Sequence, residues 1–467
     1  QTPTPRLSSA ASDVYKRQRY FQLRDRGLFP LKGLAEPQRL YELTGVGRLH
    51  TRLDVARAHG LSQFVGRTAE LATLELALQR TRAGEGQVDG VVGEAGVGKS
   101  RLCLEFVERC RAEALRVIEA QCPAYGKTIP LLPILQLLRT VFGIAEGDRD
   151  QVAREKIRER LGLLEWTFEE VLPLVEDFLG VSDPEHPLPP MVPEVRQRQL
   201  FGFLRRLVQA ESDREPVVLL IDDLHWIDPG SETFLAQLVE AVSGTRALLL
   251  LNFRPEYHPA WISTSYYHQL PLSPLGPEGI DALLHVLLGT DPLVISLPDL
   301  IRERTGGNPF FIEEVVQSLA ESGVLAGAQG AYRLTGTMGA FAIPATVQPV
   351  LAARIDRLPE REKQVLQTAS VIGRQFSEPL LGRVAQLSEA DLSAALSHLR
   401  SAEFIREKAF YPEVEYVFKH SLTQEVAYDV QLSERRKQLH AAVAQGLEDL
   451  HADKLDEQAA LLAHHWE

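Results

Sequence analysis

Cysteine is scarce in this 467-residue chain. Cys103, Cys110 and Cys122 are too few for a disulfide framework, and no second cluster offers metal-ligand spacing. They are expected as reduced thiols of a cytoplasmic protein. Cys103 and Cys110 stand seven apart, on one face of a helix, and are expected in the core. Long apolar runs are missing too. No stretch approaches the ~18 residues needed to cross a bilayer, and none has the charged-then-apolar order of a secretory signal. A membrane is therefore not an expected partner. Positive charge is in deficit, with 50 Lys and Arg against 63 Asp and Glu and a formal net charge of −13. That balance argues against a broad phosphate-binding surface, so nucleic acid is not expected as a partner, although such a sum can hide a local basic patch. Apolar sequence is present in ordinary proportion. At 45% hydrophobic and 24% charged, the chain reads as globular, with room for roughly two to four domains.

The ends are unusual. Residue 1 is Gln, and the sequence stops at His465-Trp466-Glu467 inside a helical pattern. Residues 1–18, which include SSAASDVYKRQ, resemble translated adapter sequence and are expected to be non-native or disordered. The chain is expected to be a fragment.

Short β-rich runs alternate with amphipathic helical stretches from Val88 onward: Val88–Val92, Leu115–Ala120, Val217–Ile221, Ala247–Phe253 and Leu270–Leu275. Several are continuously apolar, as strands of a parallel sheet covered on both faces are. Asp89 and Gly90 interrupt the first, which is expected to soften its packing. Upstream, Glu70–Ala83 places Leu71, Leu74 and Leu78 at helical spacing. Between the second and third runs lies an insert of roughly 90 residues, too long for a loop and expected to be a helical subdomain with loops such as Asp183–Pro193. Past Leu275 the β signal fades. Ile280–Leu288, Leu300–Arg304 and Phe311–Ser322 read as helices, and Gly323–Gly339 as a glycine-rich joint. From Ile343 a further unit starts, with helices through Val347–Leu358, Glu360–Val371 and from Ser388, where Asp391 completes a weak capping box. Two short strands, Phe404–Glu407 and Val414–Phe418, follow around a turn at Pro412. Three helices and a β-hairpin is the order of a winged-helix domain. Arg435–Leu450 and Leu455–Trp466 read as helical.

Gly93-Glu94-Ala95-Gly96-Val97-Gly98-Lys99-Ser100 fits G-x-x-x-x-G-K-[ST] between a predicted strand and a predicted helix. Glycines let backbone N–H groups wrap phosphates, and the helix N-terminus adds positive partial charge. Lys99 is expected to reach the β- and γ-phosphates; such a pair at ~4 Å is worth about 4 kcal/mol at an effective dielectric near 20. Ser100 is expected to ligate Mg²⁺. Val217–Ile221 runs into Asp222-Asp223, a strand ending in two carboxylates. Asp222 suits the Mg²⁺ side, and Asp223 suits orienting or deprotonating the attacking water. Arg254, after Asn252-Phe253 at the end of a further strand, is placed to sense the γ-phosphate. His225 and Trp226 are expected to pack.

Phe64-Val65-Gly66-Arg67, GEAGVGKSRL, VVLLIDDLHWIDP, LNFRPEY, ERTGGNPFFIEE, AIPATVQPVLAARIDRL, TASVIGRQFS and FKHSLTQEVAYD occur in one order. That order resembles the ATPase region of the STAND class, signal-transduction ATPases with numerous domains, related to AAA+ proteins. More narrowly, it is similar to the ATPase half of bacterial class III adenylate/guanylate cyclases with helical repeats. The stretches FQLRD at 21–25, LKGLAEP at 31–37 and LYEL at 40–43 resemble the last strands of such a cyclase domain.

The resemblance implies an α/β P-loop NTPase fold, a parallel AAA+/STAND-like sheet, with a helical lid, a winged helix and the start of a helical repeat. It implies a cyclase tail over 19–45, a linker over 46–62 and the ATPase with its insert over 63–275. A lid over 276–340, a winged helix over 341–430 and tetratricopeptide-like repeats over 431–467 would follow. It implies ATP/ADP and Mg²⁺ as cofactors, with Lys99, Asp222, Asp223 and Arg254 catalytic and Ser100 and Asp222 on the metal. Val65, Gly66 and Arg67 would line the adenine, Pro309 would pack on the base, and His420 would face the ADP phosphate. Gly93, Glu94, Ala95, Gly96, Val97, Gly98, Lys99, Ser100 and Arg101 would hold the phosphates. The expected function is a slowly hydrolysing ADP/ATP switch controlling an N-terminal cyclase domain, with a protein or ligand signal arriving through C-terminal repeats. Turnover is expected to be slow because no arginine finger is evident in cis beyond Arg254. The catalytic cyclase residues are absent, so cyclase activity is not expected of these residues. The alternatives are the ATPase module of a transcription regulator, or a nucleotide-binding scaffold without turnover.

Overall fold

The computed structural model describes residues 21–29, 38–46, 63–122, 130–145, 148–163, 171–183, 186–291, 297–335, 344, 346–409, 414–450 and 455–466. The adapter-like residues 1–18, positions 30–37 of the cyclase-like tail, linker residues 47–62, joint residues 336–339 and the turn at Pro412 lie outside them. The chain divides into two units, Gln1–Leu61 and Ser62–Glu467. Within the first, β1 (Phe21–Phe29) and β2 (Gln38–Val46) form an antiparallel hairpin with Phe21 opposite Val46 and Phe29 opposite Gln38.

The second unit opens with α1 (Thr68–Arg82), β3 (Gln87–Val92), α2 (Lys99–Ala112) and β4 (Arg116–Gln121). The long insert then forms α3 (Leu132–Phe142), α4 (Asp150–Leu163), α5 (Leu172–Phe178) and α6 (Pro193–Arg214). The chain returns through β5 (Val217–Asp222), α7 (Pro229–Val242), β6 (Ala247–Phe253) and β7 (Tyr267–Pro271). These strands make one five-stranded sheet in the order β4-β5-β6-β3-β7, all parallel.

The continuous apolar runs have a direct cause. Val217, Leu219 and Ile221 point into a core shared with the insert helices and α7, while Val218 and Leu220 point into one shared with α1 and α2. With both faces covered, every position must be apolar, and each fully buried Leu, Ile or Val contributes roughly 1.5–3 kcal/mol relative to exposure. Cys103, Cys110 and Cys122 are buried free thiols, and burial pushes all three above the usual thiol pKa, Cys110 to about 12.

Two expectations about the sheet change. The last strand is Tyr267–Pro271, not Leu270–Leu275. The β-favouring Tyr266-Tyr267 pair starts it earlier, and Pro271 and Pro274 lack the N–H groups a longer ladder needs. The Asp89-Gly90 break does not loosen β3 either. A Cβ on Gly90 would sit 2.5 Å from the Tyr267 hydroxyl oxygen, so glycine is what lets that ring lie against the strand. Asp89 is 2% exposed, and burial raises its carboxyl pKa to about 7 against a smaller opposing pull from Arg80.

After the sheet come α8 (Pro277–Leu288), α9 (Leu297–Thr305) and α10 (Pro309–Glu321), sharing one apolar core. The expected joint is partly ordered. β8 (Leu325–Ala326) and β9 (Arg333–Leu334) pair antiparallel, and the buried Tyr332 closes them onto that core.

The rest of the unit is α11 (Val347–Asp356), α12 (Glu360–Ile372), β10 (Gln375–Ser377), α13 (Glu378–Ala385), α14 (Glu389–Ser401), β11 (Ile405–Ala409), β12 (Glu415–Phe418), α15 (Ser421–Asp429), α16 (Ser433–Leu450) and α17 (Leu455–Trp466). The three strands form an antiparallel sheet ordered β10-β12-β11. Ser388 caps α14, accepting from the Asp391 N–H at 3.2 Å. β10 and α13 were not foreseen; at three and eight residues they are too short to carry a period. Arg354, 1% exposed, ties α11 back to α10: it pairs with Glu314, meets Glu321 at 2.7 Å and lies 4.6 Å from the Phe404 ring. Among the described residues, no helix is long and apolar enough to cross a membrane.

Candidate nucleotide site

In a parallel sheet the chain leaves every strand at the same edge, and ligands bind outside those carboxyl ends. Here that edge carries the loop after β3, the carboxylates after β5 and the polar end of β6. The loop runs straight into α2, whose N-terminal N–H groups it presents. Gly96 has a φ of +79°, and a Cβ on it would fall 2.9 Å from Asn308 Oδ1 and 3.1 Å from Phe310 Cβ. Asn308 closes the cradle from the other side. Its amide donates to Ala95 O at 2.9 Å while its oxygen caps α10, and the Phe310 N–H donates to Gly96 O at 3.3 Å.

Lys99 is 6% exposed, and its Nζ donates to Gly93 O at 2.7 Å and Glu94 O at 2.8 Å. Burial pushes the ammonium below its usual pKa, against an opposing pull from Asp223. The amine thus rests on carbonyls of its own loop, where β- and γ-phosphate oxygens would compete for the same donors. Glu94 is exposed, Val97 is buried, and Gly98 takes a φ of +103° at the helix cap. Arg101 pairs with Glu105 at 2.8 Å and stands over the Phe64 ring.

Ser100 Oγ donates to Asp222 Oδ1 at 2.9 Å. A hydroxyl and a carboxylate meeting beside an ammonium form an oxygen donor set that fits Mg²⁺ bridging to phosphate. Asn252, fully buried between the P-loop strand and the carboxylate strand, sets this geometry. Its amide donates to the same Asp222 Oδ1, and its carbonyl oxygen accepts from the Asp223 N–H at 3.0 Å. Asp223 takes φ +57°, a left-handed conformation that this hydrogen bond holds in place. Burial, and then the neighbouring Asp223 charge, raise the Asp222 carboxyl above its usual range.

The remaining partners come from far along the chain. Arg374, just before β10, pairs with Asp223 and stands 3.5 Å from Asp222 Oδ2. Burial opposes its charge, but the two carboxylates prevail and raise its pKa. Arg406 of β11 lies close enough to Arg374 and Arg101 for their charges, after burial itself, to push its guanidinium down to about 10. Its Nε has no partner among the described residues. Arg254 donates to Glu425 of α15 at 2.7 Å and stands 5.8 Å from the Trp226 ring. The expectation that Arg254 is the one arginine in cis is therefore corrected, since Arg374 and Arg406 also reach this edge.

The other expected contacts lie around the loop. Arg67 is buried, donating to Val97 O at 3.1 Å and Ser273 O at 2.7 Å, which fastens the P-loop to the end of β7. Gly66 approaches Gly279 of α8, and Val65 packs on the α8–α10 core. Pro309 opens α10 next to Asn308. His420 lies against Phe310, the two rings tilted at 39° with centroids 3.9 Å apart, one residue removed from the P-loop backbone. Its Nε2 is 3.5 Å from Glu313 Oε2, and burial holds the imidazole below its usual pKa. Trp226 packs on the sheet core, as expected of it.

Asn252, Arg374, Arg406 and Glu425 were not among the expected site residues. Asn252 had a signal, since it is the polar residue in the buried run ALLLLNF. Arg374 and Glu425 fall within the quoted stretches TASVIGRQFS and FKHSLTQEVAYD, which gave them no site role, and Arg406 had no signal beyond its charge.

Known proteins similar to this chain share its fold. The family described as AAA ATPase domain matches residues 63–251, and a domain of unknown function (DUF8739) matches residues 278–333. An uncharacterized protein of Rhizobium meliloti (strain 1021) is 27% identical over 423 residues, 88% of this chain. The chain spans 39% of that relative's length. Among solved structures, a STAND protein with a tetratricopeptide repeat sensor from Pyrococcus horikoshii superposes with a TM-score of 0.51 at 13% identity, covering 86% of this chain and 48% of that one. At that identity the likeness concerns fold alone. The chain thus has a P-loop NTPase fold, in which residues 63–251 match an AAA ATPase domain and a largely helical C-terminal region follows.

Proposed function

We propose that this chain is an ATP-binding, slowly hydrolysing regulatory switch of the STAND kind, closed with ADP and opened with ATP. The carrying observation is Arg374, which reaches 151 positions along the sequence to pair with Asp223. Residues 341–430 are read as a winged helix whose Arg374, together with Glu425 on Arg254, closes it onto the ATPase edge. In that arrangement Asp223 is neutralised and cannot orient or deprotonate water, which supports slow turnover. Bound Mg²⁺ would neutralise charge on the β- and γ-phosphates. Lys99 would exchange its two loop carbonyls for phosphate oxygens, Ser100 and Asp222 would hold the ion's side of the site, and Asn252 would keep Asp222 aimed. Arg406, a half-buried cation beside Arg374 and Arg101, favours an anion at this edge. Switching requires that ADP and ATP bind the closed and open states with different affinity.

The output is proposed to be a cyclase domain, of which the β1–β2 hairpin is the tail, and the signal is proposed to arrive through tetratricopeptide-like repeats beginning near 431. The test is to denature the purified protein and identify released nucleotide, with Lys99→Ala as control. Stoichiometric ADP in the wild type and none in the variant supports a resting switch. A wild type that carries no nucleotide and takes up no Mg-ATP overturns it.

A further inference from the structure

Away from the nucleotide site, two helices bring three imidazoles together. One ligand nitrogen each from His440 on α16 and His464 and His465 on α17 lies within 4.8 Å of the others. We propose that these histidines bind a borderline divalent transition-metal ion, Zn²⁺ foremost, that fastens α17 to α16.

The hydrogen bonding points the same way. His440 Nδ1 and His465 Nδ1 face each other at 2.8 Å, so at most one can carry a hydrogen and the other must offer its lone pair. The far nitrogen of His440 is 3.0 Å from the Tyr428 hydroxyl of α15. That is the outer-shell contact that fixes a ligating histidine in one tautomer: Nε2–H donates to Tyr428, and Nδ1 turns its lone pair inward. His465 is 3% exposed, and its Nε2 has no partner among the described residues, so the apo arrangement leaves a buried polar atom unsatisfied. The three rings sit with centroids 4.9–5.5 Å apart.

An all-nitrogen set selects against Mg²⁺ and Ca²⁺, which demand oxygen, and suits Zn²⁺ and its neighbours. Zn–N bonds of ~2.0–2.1 Å in a tetrahedron set the ligand nitrogens about 3.3 Å apart. The facing pair must open by a few tenths of an ångström and the third nitrogen must close. Three protein ligands leave the fourth position to water.

The test uses the whole chain, stripped with chelator, dialysed, and titrated with Co²⁺ in excess Mg²⁺. The expected result is one equivalent of Co²⁺ with the intense visible absorption of four-coordinate nitrogen ligation, bleached by one equivalent of Zn²⁺. An ion held instead by the oxygens of Ser100 and Asp222 would be six-coordinate and only weakly coloured. His464→Ala, at a half-buried position, is expected to lower Zn²⁺ affinity at least tenfold with an unchanged circular dichroism spectrum. Tyr428→Phe, which touches no metal, is expected to lower it roughly ten- to a hundredfold. A wild type without the intense Co²⁺ band overturns the proposal without reference to any variant. So does a band that persists at full affinity in His464→Ala, because the ion would then be held elsewhere.

Discussion

Arg374→Ala should convert the proposed switch into a leaky ATPase. The guanidinium is 14% exposed and lies between Asp222 at 18% and Asp223 at 9%. Removing one partner of a buried ion pair costs about 3–5 kcal/mol, because the remaining charge is left uncompensated. Here two carboxylates would face each other with Lys99, Arg254 and Arg406 as the remaining cations near them, none of which is shown paired with Asp223, and only while the C-terminal elements stay closed. In an open arrangement water would solvate them, so most of the cost falls on the closed state. Even 2 kcal/mol of differential cost moves the closed-to-open ratio roughly thirtyfold. Stopped-flow release of a fluorescent ADP analogue should accelerate by about that factor, and steady-state phosphate release should rise with it. Glu425→Gln, which loosens the second contact but leaves both carboxylates neutralised, should show a smaller change in the same direction. The reasoning fails if a folded Arg374→Ala protein releases ADP within twofold of wild type. It fails in the opposite sense if turnover collapses, because Arg374 would then be stabilising the transition state rather than holding the site shut.

Two further outcomes follow from the same geometry. Asn252→Ala leaves the buried Asp223 N–H without its acceptor and Asp222 with one donor fewer, Ser100 remaining; it should cost about 1–3 kcal/mol in urea denaturation and lower kcat more than ATP affinity. Asp89 has its folded pKa raised to about 7, above the ordinary aspartate value of 3.8, so its contribution is intact below about pH 3.8 and is lost as pH rises through 7. Relative to Asp89→Asn, the wild type should therefore lose up to roughly 4 kcal/mol between pH 4 and 7 and nothing more above it, as read from urea midpoints.

What could be read from the sequence was whatever is local. The P-loop is eight consecutive residues whose spacing has a mechanical reason, and Asp222 ends a strand whose apolar run is visible without a structure. Lys99, Ser100 and Asp222 converge because a parallel sheet brings strand ends to one edge. The errors were also local in origin. The β7 expectation starts three residues late because it leaves out the β-favouring Tyr266-Tyr267 pair, and it runs past Pro271, beyond which Pro274 is a missing donor. α13 was missed because eight residues containing Pro379 and Gly382 show no helical period. Asn252 was legible in principle, since a polar residue in a strand buried on both faces must be hydrogen-bonded to something.

The long-range contacts of the proposed switch were not legible in the same way. Arg374–Asp223, Arg254–Glu425 and Asn308–Ala95 join residues 151, 171 and 213 positions apart. No spacing rule links such pairs, and an arginine after a buried helix looks like any surface arginine until the tertiary fold sets it against two carboxylates. This asymmetry has a physical basis. Holding phosphate and metal requires backbone N–H groups, a hydroxyl and a carboxylate in fixed mutual positions, which a short motif can supply. Shutting the site requires only that a charge arrive from another element and be able to leave. A charge that must leave cannot be built into the motif it controls, so the residues of the proposed switch have to lie outside the motif.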